Sequence, residues 1–214
     1  MVSLAPSEVS CSAEPVTFFD PDPTVPELER INADRDPRRE PPFDQLPAVA
    51  PLSAVLATTD NVSIALICAR IFTDGVEFII ERKIRRKNLS RIDFRNLAQN
   101  DRFMPDEEDQ ATRLQYGVLL SDGQKITSRH SWAEDPHQTQ IAPHHILVPT
   151  DGSGGGSDSR YQYHDGLWLH PLPPPGSIDF VTQWPNGGIK ETHTAIDADM
   201  ILSLASAVRP LWND

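Results

Sequence analysis

Between Leu52 and Ala195 the chain is cut into short apolar or alternating runs, each closed by a turn signal, and this punctuation limits it to a β architecture. Leu52 to Thr59 reads as a first strand ending at Asp60-Asn61. Val62 to Thr73 is apolar on both faces, as a central strand requires. Asp74-Gly75 marks a hairpin, after which Val76, Phe78 and Ile80 alternate with Glu77 and Glu81. Leu114, Tyr116, Val118 and Leu120 repeat the pattern. Ser121-Asp122-Gly123 forms a turn and Lys125 to Arg129 the return. Ile146 to Val148, Tyr161 to Leu169, Ile178 to Trp184 and Ile189 to Ala195 complete the set. Only near the end does helical spacing appear. Asp197 reads as an N-cap, and Ile201, Leu204, Ala205 and Val208 share a face up to Trp212. The expected fold is mainly β, an antiparallel Greek-key-like β-sandwich with a short C-terminal helix.

The first fifty residues differ in kind. Ten of the 20 prolines lie within the first 51 positions. Proline fixes φ and lacks a backbone donor, so this density excludes regular helix and central strand. Residues 1–50 are therefore expected to form an extended arm, and residues 51–214 the sandwich. The arm carries apolar beads, Phe18, Phe19, Leu28, Ile31 and Phe43, more than a spacer needs. They are expected to dock on a partner protein or a neighbouring subunit. Met1 to Ser12 has neither a basic n-region nor an apolar run, which is unlike a secretory signal and points to the cytoplasm. No run approaches the length of a membrane span. Cys11 and Cys68 make no disulfide framework, and Cys68 in its apolar strand is expected to be a small buried hydrophobe.

The net charge of −12 argues against polynucleotides and anionic membranes, which are held through Lys and Arg. One segment runs the other way. Arg82, Lys83, Arg85, Arg86, Lys87, Arg91 and Arg95 hold 7 of the 19 basic residues, opposed there only by Asp93. The arm, with 10 acids against 4 bases, matches this run in charge, so Arg82 to Lys87 are expected to meet an acidic partner or the arm itself. A nucleic-acid contact through residues 82–95 is the less favoured reading.

The motifs of catalysis are missing. No pair of the seven histidines has HExxH spacing, and His144-His145 would point to opposite faces of a strand. There is no GxSxG elbow. Gly152-Ser153-Gly154-Gly155-Gly156-Ser157 lacks the lysine and following helix of a phosphate loop and reads as a flexible linker. Neither a metal nor a cofactor is expected. The favoured function is a non-enzymatic interaction or structural component. A hydrolase-like site with histidines near residues 144–170 is the alternative.

Two blocks carry a resemblance. Tyr116 to Gly123 and Trp168-Leu169-His170-Pro171-Leu172-Pro173-Pro174-Pro175-Gly176, followed by Phe180-Val181, Trp184-Pro185 and Gly188-Ile189, are similar to an uncharacterised family of small actinobacterial proteins. The resemblance spans about residues 52–212 and implies source and architecture, with no activity attached. In purely physical terms the proline run suits an extended crossover with Trp168 and Trp184 packed against it.

Overall fold

A computed structural model describes Asp36 and residues 38–99, 112–128, 145–150 and 152–212. Phe18, Phe19, Leu28 and Ile31 lie outside these residues, as do Cys11, His130, His137 and His144. The described fold is mainly β and antiparallel throughout. Strands β1 (Gln45–Leu46), β2 (Ala48–Ala50), β3 (Ala54–Thr58), β4 (Val62–Ile71) and β5 (Val76–Arg85) come first. Helix α1 (Arg91–Gln99), β6 (Gln115–Leu119) and β7 (Lys125–Thr127) follow. Next are β8 (Ile146–Pro149), β9 (Ser153–Gly156), β10 (Arg160–His170), β11 (Ser177–Trp184) and β12 (Ile189–Asp197). Helix α2 (Ala198–Leu204) and β13 (Arg209–Pro210) end the chain.

A seven-stranded sheet has the path β2-β4-β5-β10-β8, with β3 also on β4 and β9 also on β10. A four-stranded sheet has the order β12-β11-β6-β7. Apolar side chains fill the space between them. Ile64, Leu66, Phe78, Ile80 and Leu167 of the larger sheet and Val118, Ile178 and Phe180 of the smaller are buried. Phe78 meets Phe180 edge-on at 5.5 Å between centroids. Each such side chain contributes about 1.5–3 kcal/mol by leaving water, which makes this interior the main stabilising element.

Two hairpins form where the sequence places them. Ile71 pairs with Val76 around Asp74-Gly75, and Trp184 with Ile189 around Asn186-Gly187. In the second the left-handed position is taken by Gly188 (φ 72°), after a 3-10 turn over Pro185–Gly187. Four linking residues, where an Asn-Gly turn would use two, move the positive φ one place along. Asp197 caps α2, accepting hydrogen bonds from the amides of Asp199 and Met200. The helix itself stops at Leu204, short of the span suggested by apolar spacing, and Val208 is extended.

Three expectations are corrected. Residues 45–50, assigned above to the arm, enter the sheets: β1 pairs with β13 and β2 with β4, and Ala50 is fully buried. The glycine-rich segment is strand β9, which pairs with β10 from Tyr161–Gly156 to His164–Ser153. A Cβ on Gly154 would lie 2.2 Å from the Tyr163 ring, and one on Gly156 2.2 Å from the Arg160 carbonyl oxygen. These glycines admit β10 at close range, which local composition cannot show. Cys68 is half-buried rather than buried. A register shift between Leu66 and Cys68 turns it to the outward face of β4, where burial pushes its thiol pKa up.

Trp168 and Trp184 are both buried. Trp168 meets Phe72 edge-on at 5.5 Å and sits over Gly75, where a Cβ would collide with its ring. The proline run follows a cis His170–Pro171 peptide and is tied by polar contacts. The Ser121 hydroxyl donates to the Pro175 carbonyl at 2.6 Å, and Asp199 accepts from the Gly176 amide at 3.0 Å. Among the described residues no helix is long and apolar enough to cross a membrane.

Candidate functional site

Alternation along β5 sorts the basic run onto two faces. Phe78, Ile80, Arg82 and Ile84 face the interior, while Lys83 and Arg85 face away from it. Arg82 is therefore no surface residue. It is 5% exposed, its guanidinium lies over the rings of Tyr163 (4.8 Å) and Trp184 (5.3 Å), and its Nη2 stands 3.5 Å from Asp165. The Tyr116 hydroxyl donates to the other Asp165 oxygen at 3.2 Å. Burial, then the charge of Asp165, holds the Tyr116 phenol pKa well above its ordinary value. This cluster joins the two sheets and belongs to the interior.

The outward face carries a cleft of about 820 Å³, which crosses the ends of β3, β4, β5, β10 and β9. Register explains its lining. Ser63, Lys83, Gln162 and Gly155 form one row across four strands, and Arg85 and Arg160 face each other in the next row on that side. Lys83, Arg85 and Arg160 line it, and among the described residues no acidic side chain does. Asn61 fixes the rim. Its side-chain amide donates to the carbonyls of Arg85 (2.9 Å) and Arg86 (3.0 Å), and Arg85 Nε donates to the Asp60 carbonyl at 2.8 Å.

The surrounding cations are mostly paired with acids, one near in sequence and two far from it. Lys83 meets Glu81 at 2.5 Å, Lys87 meets Asp60 at 3.0 Å and Arg91 meets Asp158 at 2.9 Å. The Lys87 ammonium draws the Asp60 carboxyl below the usual carboxylate range. Asp93, the one acid within the run, caps α1 reciprocally with Ser90: its amide donates to Ser90 Oγ at 3.1 Å, and its carboxylate accepts from the Ser90 hydroxyl at 2.7 Å. Arg85 and Arg160 have no carboxylate within ion-pair distance among the described residues.

Of the residues singled out by sequence, the structure gathers Lys83 and Arg85 in the cleft, sets Arg86 half-buried beside it, and puts Lys87 in the following turn with φ 39°. Phe43 stands apart, exposed and stacked on Trp212 at 5.5 Å. Sequence reasoning passed over Arg160, Asn61 and Gly155. Asp60-Asn61 did stand out, but only as a turn. Nothing local marks Arg160 as the cross-strand partner of a residue 75 positions upstream.

The described histidines do not gather into a site. His164 and Asp165 are neighbours on β10 and point to opposite faces, with His164 on the outward side 3.4 Å from Glu81. His145 Nε2 donates to the Leu172 carbonyl at 3.0 Å, and its Nδ1 lies 3.3 Å from Gln124. Exposed His193 is held between Asp179 (2.6 Å) and Glu191 (3.0 Å). Among the described residues no group of three His, Cys, Asp or Glu could hold a metal ion. Comparison with family models, with curated proteins and with solved structures finds no match to the chain.

Proposed function

We propose that the protein is a non-enzymatic binding module, in which the sandwich is a rigid platform and the cleft over β5, β9 and β10 takes an acidic segment of a protein partner. The observation that carries this reading is the cleft lining. In a chain of net charge −12, Lys83, Arg85 and Arg160 line one concavity, with no acidic residue in its lining among the described residues. Such a local reversal of field attracts an anion against the average charge of the molecule. The same average charge opposes a polynucleotide, whose affinity needs many phosphate contacts at once. Asn61 and the Asp60 carbonyl hold Arg85 in place before any ligand arrives, which lowers the ordering cost of binding.

Fluorescence anisotropy with a labelled glutamate-rich peptide tests the reading. Binding should weaken steeply between low and high salt, as contact through exposed charges does. The Arg85→Gln/Arg160→Gln double variant should bind at least about tenfold more weakly, equivalent to about 1.4 kcal/mol. Absence of binding, or equal binding by the variant, would overturn it.

A further inference from the structure

We infer that the group gripped in the cleft is a phosphomonoester, carried by a phosphorylated serine or threonine of the protein partner and held between Arg85 and Arg160. This inference rests on the proposed binding function and deepens it. Arg85 and Arg160 are direct cross-strand partners of β5 and β10, and both side chains are exposed on the same face. Opposed residues on antiparallel strands carry their Cβ atoms about 4.5–5.5 Å apart, and like charges so placed destabilise the pair. Elsewhere around the cleft this cost is offset, because Lys83, Lys87 and Arg91 each have a carboxylate partner. At Arg85 and Arg160 no described carboxylate lies within ion-pair distance, although the Asp60 carboxyl feels the Arg85 charge, so two guanidinium groups stand in cross-strand register on one face without an ion-pair partner among the described residues.

The chemistry of the anion follows from that count. A carboxylate brings one charge and two coplanar oxygens, which satisfy a single guanidinium fork. A phosphomonoester brings about −1.5 to −2 charges and three terminal oxygens, enough for both forks together. Ser63 and Ser157 line the same cleft and add neutral donors. Gly155 faces Gln162 across β9 and β10, and a Cβ there would meet nothing within 4 Å. The floor beside Arg160 is thus open to a bulky head group. At about 820 Å³ the cleft exceeds what a bare ion needs and admits the residues flanking a modified side chain. A lipid surface would present many phosphates to a chain of net charge −12, so a single phosphate on a protein suits this pair better.

The test uses the full chain and three labelled peptides that differ at one position, holding phosphoserine, serine or glutamate among the same glutamates. The phosphoserine peptide should bind at least about tenfold more tightly than the glutamate peptide, the worth of one added charge-assisted hydrogen bond. Inorganic phosphate should displace it where equal acetate does not. Arg160→Gln should abolish the preference and Arg160→Lys restore it only in part, with circular dichroism confirming the fold of both. Equal affinity for the phosphoserine and glutamate peptides would overturn the phosphate inference and leave the acidic-partner reading standing. Binding of none of the three would overturn both. Preference for phosphoinositide vesicles over the phosphopeptide would move the site to a membrane and overturn the inference as stated.

Discussion

Arg82 and Arg85 are three positions apart on one strand and have opposite fates. Removing Arg82 would leave Asp165 without its cation beneath two aromatic rings, and breaking such a buried pair from one side costs about 3–5 kcal/mol. Arg82→Ala should therefore lower the urea midpoint sharply, while Arg85→Ala should stay within about 1 kcal/mol of the parent, as exposed positions do. Equal effects would mean that the Arg82 cluster does not join the sheets. Two titrations belong to the same scale. The Tyr116 phenol has a folded-state pKa raised above 10.0, so its contribution is complete below pH 10 and is lost as pH rises through the folded value. Alkaline difference spectra should show one tyrosine ionising only with unfolding. His193 is raised above 6.5 first by the hydrogen bond it donates to Asp179 and then by that to Glu191. Its stabilising effect is full below pH 6.5 and disappears as pH climbs through the folded value. In an NMR titration, Asp179→Asn should return this histidine towards its ordinary range.

Strand β9 shows at the scale of an element how chemically identical residues can do unlike things. Gly154 and Gly156 lie where any side chain would strike β10, whereas Gly155 looks into open space. Gly156→Ala should cost about 1–3 kcal/mol, the range for overpacking. Gly155→Ala should be neutral or slightly stabilising, since glycine in a strand interior gives up more conformational entropy. Thermal melts of the two variants decide it, and equal shifts would mean that β9 is not seated on β10. Legibility in the sequence divides along the same line. Alternation and turn residues revealed β4, β5, β6, β10, β11 and β12, because period and punctuation are local properties. Strand β9 looked like a linker, because its reason for being glycine lies on Tyr163 and Arg160 of another strand. The cleft was half legible for the same cause. The density of Lys83 and Arg85 is visible in the chain, but their sorting from Arg82 needs the strand faces and their meeting with Arg160 needs the register.

For the whole molecule, the fold begins upstream of the composition change at Pro51. Gln45 holds the β4–β5 turn by two bonds to Thr73, at 2.8 and 3.1 Å, and β2 completes an edge of the larger sheet. A chain begun at Pro51 should melt well below one begun at Asp36, because it lacks β1, β2 and buried Ala50. Equal melting temperatures would mean that these strands add nothing to the sandwich.

The pairing of β5 with β10 has a consequence in time as well as in space. Arg85 leaves the ribosome long before Arg160, and the intervening residues include β6 and β7 of the other sheet. During synthesis the β3–β4–β5 segment must wait with one edge open until β10 arrives, a non-local closure of the kind that slows folding. The two arginines meet only at that closure. A nascent chain released before residue 160 would carry the whole basic run and none of the paired grip, so capture of the anion would report a finished protein and ignore an unfinished one.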